Sequence, residues 1–430
     1  MGVFTRATAS RSRTRTRAAT LSGLAFLGAS ALVLTGCSTA GGGGDGGDNA
    51  KPAGEDLTLK VGTLLPQTGQ LAFLGPPEEA GVGLAVKEIN DADLGITVDV
   101  TYGDSGDPDN KAFATTVPNL LGEDVSAIIG AASSGVTKLV IDEVTGAGVI
   151  QFSPANTSAD FTTWDDNGLF WRTAPSDVLQ GEVLGDLIAE DGNETLGILY
   201  LNDSYGTGLA EFTKKAFENA GGKVVEEVSY NAGDTTFDAQ VSSLKAANPD
   251  AIALIAFEET KTIVPALSGY PAEKMYFVDG NLADYSADFA PGTLTGAKGT
   301  LPGLDTDELG DFTDRLQAFW QDEGNEELKD YSYAAESYDA VVLLALAALQ
   351  AGSTEGADIA EQLQSVSGGG DEAGEKCTNF KDCAALINDG EAADYDGYSG
   401  PITFNEAGDP TEATIGIHQY KEDNTYERIN

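Results

Sequence analysis

One histidine, His418, and three cysteines stand in 430 residues, and 24 basic residues face 69 acidic ones. A single imidazole excludes any catalytic triad or metal cluster that needs two. Cys377 and Cys383 have no second cysteine pair with which to close a zinc site. A formal charge of −45 excludes nucleic-acid binding by counterion release, which needs the opposite sign. No Gly-x-Ser-x-Gly elbow occurs, and His418 lies far in sequence from any serine in a catalytic setting. The run Tyr205-Gly206-Thr207-Gly208 is no dinucleotide loop, because Glu211 occupies the third glycine position. The expectation is a protein that is not an enzyme and takes no cofactor. What remains is ample: 41% apolar residues supply cores for two or three domains.

Arg6, Arg11, Arg13, Arg15 and Arg17 precede an apolar stretch, Leu21 to Leu34, too short to span a bilayer comfortably. Residues 1–36 read as a signal peptide. Its end, Leu34-Thr35-Gly36-Cys37, resembles the lipobox of bacterial lipoproteins, which implies that the Cys37 thiol receives diacylglycerol. Residues 37–56 follow as a flexible tether, with Gly41 to Gly44 and Gly46-Gly47 at its centre. That run is no phosphate loop, since neither a strand before it nor a Lys-Ser/Thr after it is present. Without residues 1–36, 19 basic residues face 69 acidic ones, a charge of −50. Such a body is repelled by anionic headgroups, so contact with the membrane falls to the lipid anchor alone. The predicted location is outside the cytoplasmic membrane, as a soluble-bodied monomer.

From Leu57 onward, short apolar runs alternate with amphipathic ones. Leu57–Leu65, Thr97–Tyr102 and Ala127–Gly130 read as strands, with helices over Glu78–Asn90 and Pro108–Leu121. A second series reads as strands at Thr195–Leu201, Lys223–Tyr230, Ala251–Phe257 and Met275–Val278. Its helices fall at Gly208–Ala220, Phe237–Ala246 and Lys261–Leu267. A long helix is predicted over Tyr331–Gln350, with late strands at Ser399–Phe404 and Thr414–Tyr420. The fold class is α/β, with two lobes of parallel sheet. The first lobe is expected over 57–173 plus 302–398 and the second over 174–301 plus 402–430. Cys377 and Cys383, with five residues between them in an exported chain, suggest a local disulfide.

Val61-Gly62, Gln67-Thr68-Gly69, Gly75, Gly81 and Glu88-Ile89-Asn90 open an ordered set of short motifs. Ile128-Ile129-Gly130 with Ser133-Ser134, Ser153-Pro154-Ala155 with Thr157, and Phe170 with Arg172 continue it. Gln180-Gly181, Tyr205-Gly206 and Asn248-Pro249-Asp250 complete it. The set resembles the leucine/isoleucine/valine-binding protein family of ABC-transporter solute receptors across residues 57–420. The resemblance implies the type I periplasmic-binding fold: two Rossmann-like lobes, joined by a three-crossover hinge, that close on a small molecule. It also implies ABC permease subunits as partners.

In that family the ligand carboxylate meets positions matched here by Ser134, Ala155 and Thr157. An anion suits the place, because Ser134 should open the helix running through Val140, where unpaired N–H groups converge. The alternative for Ser134 and Thr157 is helix capping alone. Asp279 falls beside the family position whose acid takes the ligand ammonium, although the local match slips by a residue toward Asn281. Glu258 and Glu259 are rival acids. Tyr205 and Phe257 are expected to cover the ligand from the closing side. Two departures stand out: Leu74, not an aromatic, precedes Gly75, and no cysteine pair lies near Asp104 or Ser133. The expected ligand is therefore a branched-chain or other amino acid. A sensor of the same fold for amides or related solutes is the alternative.

Overall fold

The computed structural model describes residues 56–305, 308–370 and 374–430. The expected leader, Cys37 and the tether as far as residue 55 lie outside these described residues. The first series runs β1 (Leu57–Leu64), α1 (Gly75–Ala92), β2 (Ile96–Thr101), α2 (Phe113–Gly122), β3 (Ala127–Gly130), α3 (Ser134–Gly146), β4 (Ile150–Ser153) and β5 (Phe170–Arg172). The strands pair in parallel in the order β2-β1-β3-β4-β5. Every residue of β3 and β4 is buried, as a parallel sheet covered on both faces requires.

The second series runs α4 (Asp177–Glu190), β6 (Thr195–Leu201), α5 (Ser204–Asn219), β7 (Lys223–Tyr230), α6 (Asp238–Ala247), β8 (Ala251–Ile255), α7 (Thr260–Ala266), β9 (Met275–Phe277) and β10 (Lys298–Pro302). Then follow α8 (Phe312–Asp322), α9 (Ala334–Ala351), α10 (Gly356–Val366), β11 (Glu375–Cys377), α11 (Phe380–Asp389), β12 (Ala393–Gly397), β13 (Gly400–Pro401), β14 (Ile415–Tyr420) and β15 (Tyr426–Arg428). The second sheet has the order β15-β14-β10-β9-β8-β6-β7, parallel except at the two antiparallel pairs made by β14.

Helices α9, α10 and α11 return to the first sheet, where Leu343, Leu346, Leu363 and Phe380 share one core with Leu59, Ile129 and Phe152. Helix α9 is apolar almost all round and long enough to cross a membrane, but it is buried in that core. Cys377, ending β11, is bonded to Cys383 on α11. The chain passes between the sheets three times: after β5, after β10, and between β13 and β14.

Several element ends shift from their sequence reading, with α1 beginning at Gly75, α5 at Ser204 and α9 at Ala334, and two of the shifts have a visible side-chain cause. The helix expected from Pro108 begins at Phe113, because the Asp107 carboxylate accepts from the N–H groups of Asp109 and Asn110 at 2.9 and 2.8 Å. That turn leaves Lys111 in the left-handed region at φ 58°. The strand expected over Ser399–Phe404 shrinks to β13, since Asp339 Oδ2 takes both the N–H and the hydroxyl of Ser399 at 2.6 Å and Pro401 has no N–H to pair.

Candidate functional site

Both sheets reverse strand order, between β1 and β3 in one and between β6 and β8 in the other, and each reversal opens a crevice at the carboxyl ends of the strands. The loops leaving those ends meet. Leu71 and Leu74 follow β1, Ala132 to Ser134 follow β3, and Ala155 and Thr157 follow β4. From the other lobe come Tyr205 after β6, Phe257 after β8, and Asp279 with Gly280 after β9. Together with Tyr333 they line one cavity, closed down to about 10 Å³, the room of a single water. Leu71, Leu74, Ala132 and Ala155 are continuous with the second lobe's core, so the lobes are closed upon each other.

All six residues that sequence analysis singles out for the ligand, Ser134, Ala155, Thr157, Tyr205, Phe257 and Asp279, line this one cavity. The capping alternative is resolved by their neighbours. Ser133 caps α3 by accepting from the N–H of Val136 at 3.3 Å, and Ser158 caps the short turn Ala159–Thr163. Ser134 is thereby the first residue of α3 and not its cap, and its hydroxyl accepts only a long 3.4 Å bond from the Ser158 N–H. The Thr157 hydroxyl is buried, makes no well-aligned hydrogen bond, and has the Asp177 carboxyl as its near polar neighbour, on which it exerts a lowering pull.

Asp279 faces this wall from the second lobe. Its Oδ1 accepts from the Tyr205 hydroxyl at 2.6 Å and from Gln180 Nε2 at 3.0 Å, and its Oδ2 accepts from the Tyr333 hydroxyl at 2.8 Å. Burial pushes its carboxyl above the usual range, against the pull of Tyr205, Tyr333, Gln180 and the Gly280 N–H. A cation brought to it would favour the ionised form. Asp177, at the start of α4, is fully buried, and burial followed by the nearby Asp279 charge raises it well above the ordinary value, against the pull of the Thr157 hydroxyl and of Arg172. Tyr205 stacks on Phe257 with ring centroids 5.3 Å apart, giving the second-lobe wall a flat aromatic face.

The rival acids point elsewhere. Glu258 is exposed and pairs with Lys261 at 2.8 Å, and Glu259 accepts from the Phe257 N–H at 3.1 Å. Asn281 is spent on Val278, Leu254 and Thr260. Tyr333 was not legible in the sequence. It stands at φ 59° just before α9, inside a run whose periodicity reads as uninterrupted helix, and only that left-handed turn aims its hydroxyl at Asp279. Gln180 was visible as a motif residue but not as a partner of Asp279. His418 is buried in β14 outside the cavity, its imidazole pushed down to about 4 by burial and by Arg428. Among the described residues no group of three or more His, Cys, Asp or Glu is placed to hold a metal ion.

A sequence model of the periplasmic binding protein family matches residues 58–423. The chain belongs to this family. A leucine-, isoleucine-, valine-, threonine- and alanine-binding protein of Pseudomonas aeruginosa is 33% identical over 44% of the chain and 51% of its own length, so the match spans about half of that relative. The branched-chain amino acid transporter substrate-binding protein of Streptococcus pneumoniae, solved with isoleucine, superposes with a TM-score of 0.68 at 23% identity, covering 86% of this chain and 99% of that one. An ABC-transporter solute-binding protein of R. palustris, solved with 4-hydroxybenzoate, gives 0.68 at 18% identity, covering 87% and 96%. These likenesses establish the type I periplasmic-binding architecture, two lobes about an interlobe crevice.

Proposed function

We propose that this protein is the extracytoplasmic, lipid-anchored receptor of an ABC importer and that it captures a small amino acid between its lobes. One observation carries the reading. Among the described residues the cavity lining has a single acid, Asp279, and no basic side chain, while the facing wall carries the hydroxyl residues Ser134 and Thr157 beside the N-terminus of α3. A zwitterion matches both walls: its ammonium meets Asp279, and its carboxylate meets Thr157, Ser134 and the first-turn N–H groups of α3. Leu71, Leu74 and Phe257 favour an aliphatic side chain. An aromatic acid without an ammonium would leave Asp279 facing no cation, which sets it behind an amino acid.

Because no bond of the ligand is broken, binding works through closure: a molecule that touches both lobes favours the closed state over the open one. The permease would then recognise the closed form. Differential scanning fluorimetry with L-leucine, L-isoleucine, L-valine, L-threonine, L-alanine and 4-hydroxybenzoate tests the ligand class, since a ligand bound only by the folded form raises Tm. A shift with 4-hydroxybenzoate and none with any amino acid would overturn the reading. Cys37→Ala should abolish membrane retention of the processed protein in a cell fractionation.

A further inference from the structure

The Pro154–Ser158 loop carries Ala155 and Thr157 but contains no regular structure of its own. Its near side is held by Ser153, whose hydroxyl oxygen accepts from the N–H groups of Ala155 and Asn156 at 3.3 and 2.9 Å. Its far side is held by one guanidinium. Arg172 ends β5, is fully buried, and through Nη1 donates to the carbonyls of both Asn156, at 3.2 Å, and Ser158, at 2.7 Å, the two residues flanking Thr157. Its Nε donates to Asp409 Oδ1 at 2.6 Å, and Nη2 donates to the Thr162 hydroxyl at 3.2 Å. That hydroxyl in turn donates to Asp409 Oδ2 at 2.6 Å, closing the ring.

Asp409 belongs to the third crossover, in the turn after Phe404. The turn is seated on β5: the Arg172 N–H donates to the Gly408 carbonyl at 3.1 Å, and Gly408, at φ 74°, has no room for a Cβ, which would stand 2.4 Å from the Phe170 carbonyl. The guanidinium therefore spans, with four of its five donors, the loop beneath the cavity and the strap that joins the lobes. A lysine ammonium is a point charge and cannot hold two carbonyls and a carboxylate in one plane.

We propose that Arg172 is a positioning residue for ligand capture: clamped by Asp409 and Thr162, it fixes the peptide units on either side of Thr157 and so holds Thr157 in place at the cavity wall. The inference rests on the amino-acid reading above and adds to it that the third crossover takes part in shaping the carboxylate end of the site.

The test uses the full chain and whichever of the five amino acids gives the largest thermal shift. Thr157→Ala, Arg172→Lys, Thr162→Val and the Thr157→Ala/Arg172→Lys double variant are compared by calorimetry. Arg172→Lys should raise Kd about tenfold, and Thr162→Val by a smaller factor. The double variant should lose less than the product of the two single losses, because a guanidinium acting through Thr157 has nothing left to position. Amide hydrogen exchange at 156–158 should quicken about tenfold in Arg172→Lys, in the unliganded protein as well. Should Arg172→Lys fail to fold, Thr162→Val carries both measurements. Losses that multiply, or unchanged affinity and exchange in the folded variants, would overturn the positioning role while a weakened Thr157→Ala leaves the binding reading standing. Wild-type affinity in Thr157→Ala, or no response to any of the five, removes that reading and the inference with it.

Discussion

Replacing Asp279 with asparagine separates binding from folding. The carboxylate is buried and accepts hydrogen bonds from Tyr205, Gln180 and Tyr333. An ammonium there is worth about 4 kcal/mol by Coulomb's law at 4 Å and an effective dielectric of 20. Truncating one member of a buried charge pair costs about 2–5 kcal/mol of affinity, a roughly 30- to 5,000-fold rise in Kd. In the unliganded protein the sign reverses, since the variant no longer buries a carboxylate that has hydrogen bonds but no cation. The asparagine amide also finds an acceptor, because the Tyr333 hydroxyl can accept as well as donate. Calorimetry with the best-binding amino acid, paired with melting of the unliganded protein, should therefore show lost affinity at equal or higher Tm. An N-acetylated amino acid, which carries no cation, should bind the wild type as poorly as the free amino acid binds the variant. Affinity within twofold of wild type, or equal binding of the acetylated compound, would refute the placement of the ammonium.

Two further outcomes follow from burial. Glu336 is pushed up to about 8, and Asp203 and Asp339 to about 6, in each case first by burial. The folded form therefore binds more protons than the unfolded one, so the stability these groups lend is fully present below about pH 4 and is lost as pH rises toward 8. Thermal melting across that range should show a falling Tm in the unliganded protein, and Glu336→Gln should flatten its upper part; an unchanged slope in the variant would count against the buried-acid account. The glycines offer a contrast of opposite signs. Gly81→Ala sets a methyl 2.2 Å from the Ala334 carbonyl where α1 meets α9 and should cost about 1–3 kcal/mol. Gly122→Ala, at the end of α2 with nothing within 4 Å, should gain about 0.5–1 kcal/mol in denaturant titration.

Strands of the open sheets were legible because they are short, mostly apolar and followed by amphipathic helices, as in Ala127–Gly130 or Thr195–Leu201. What failed to show was structure made by side chains acting on backbone. The Asp107 turn delays α2, and the Asp339 carboxylate gathers Tyr395, Tyr398 and Ser399 where alternation alone suggests a longer strand. The cavity residues taken from the ordered motifs sit at the ends of strands, where position in the fold limits what a side chain can face. Tyr333 comes from a chain segment more than 50 residues beyond Asp279, and nothing in a one-dimensional pattern joins the two. The Arg172–Asp409 pair is separated by 237 positions, and although Arg172 belongs to the ordered motifs, nothing in the sequence marks Asp409 as its partner.

The neighbours Ser133 and Ser158 secure the ends of their helical turns. On the proposed amino-acid reading, adjacent positions thus divide two duties that one serine often combines. Selection can alter Ser134 or Thr157 to suit a new nutrient without unravelling a helix, whereas a change at Ser133 or Ser158 damages the scaffold and gains nothing in taste. A receptor built this way can drift among solutes while its frame stays as it was.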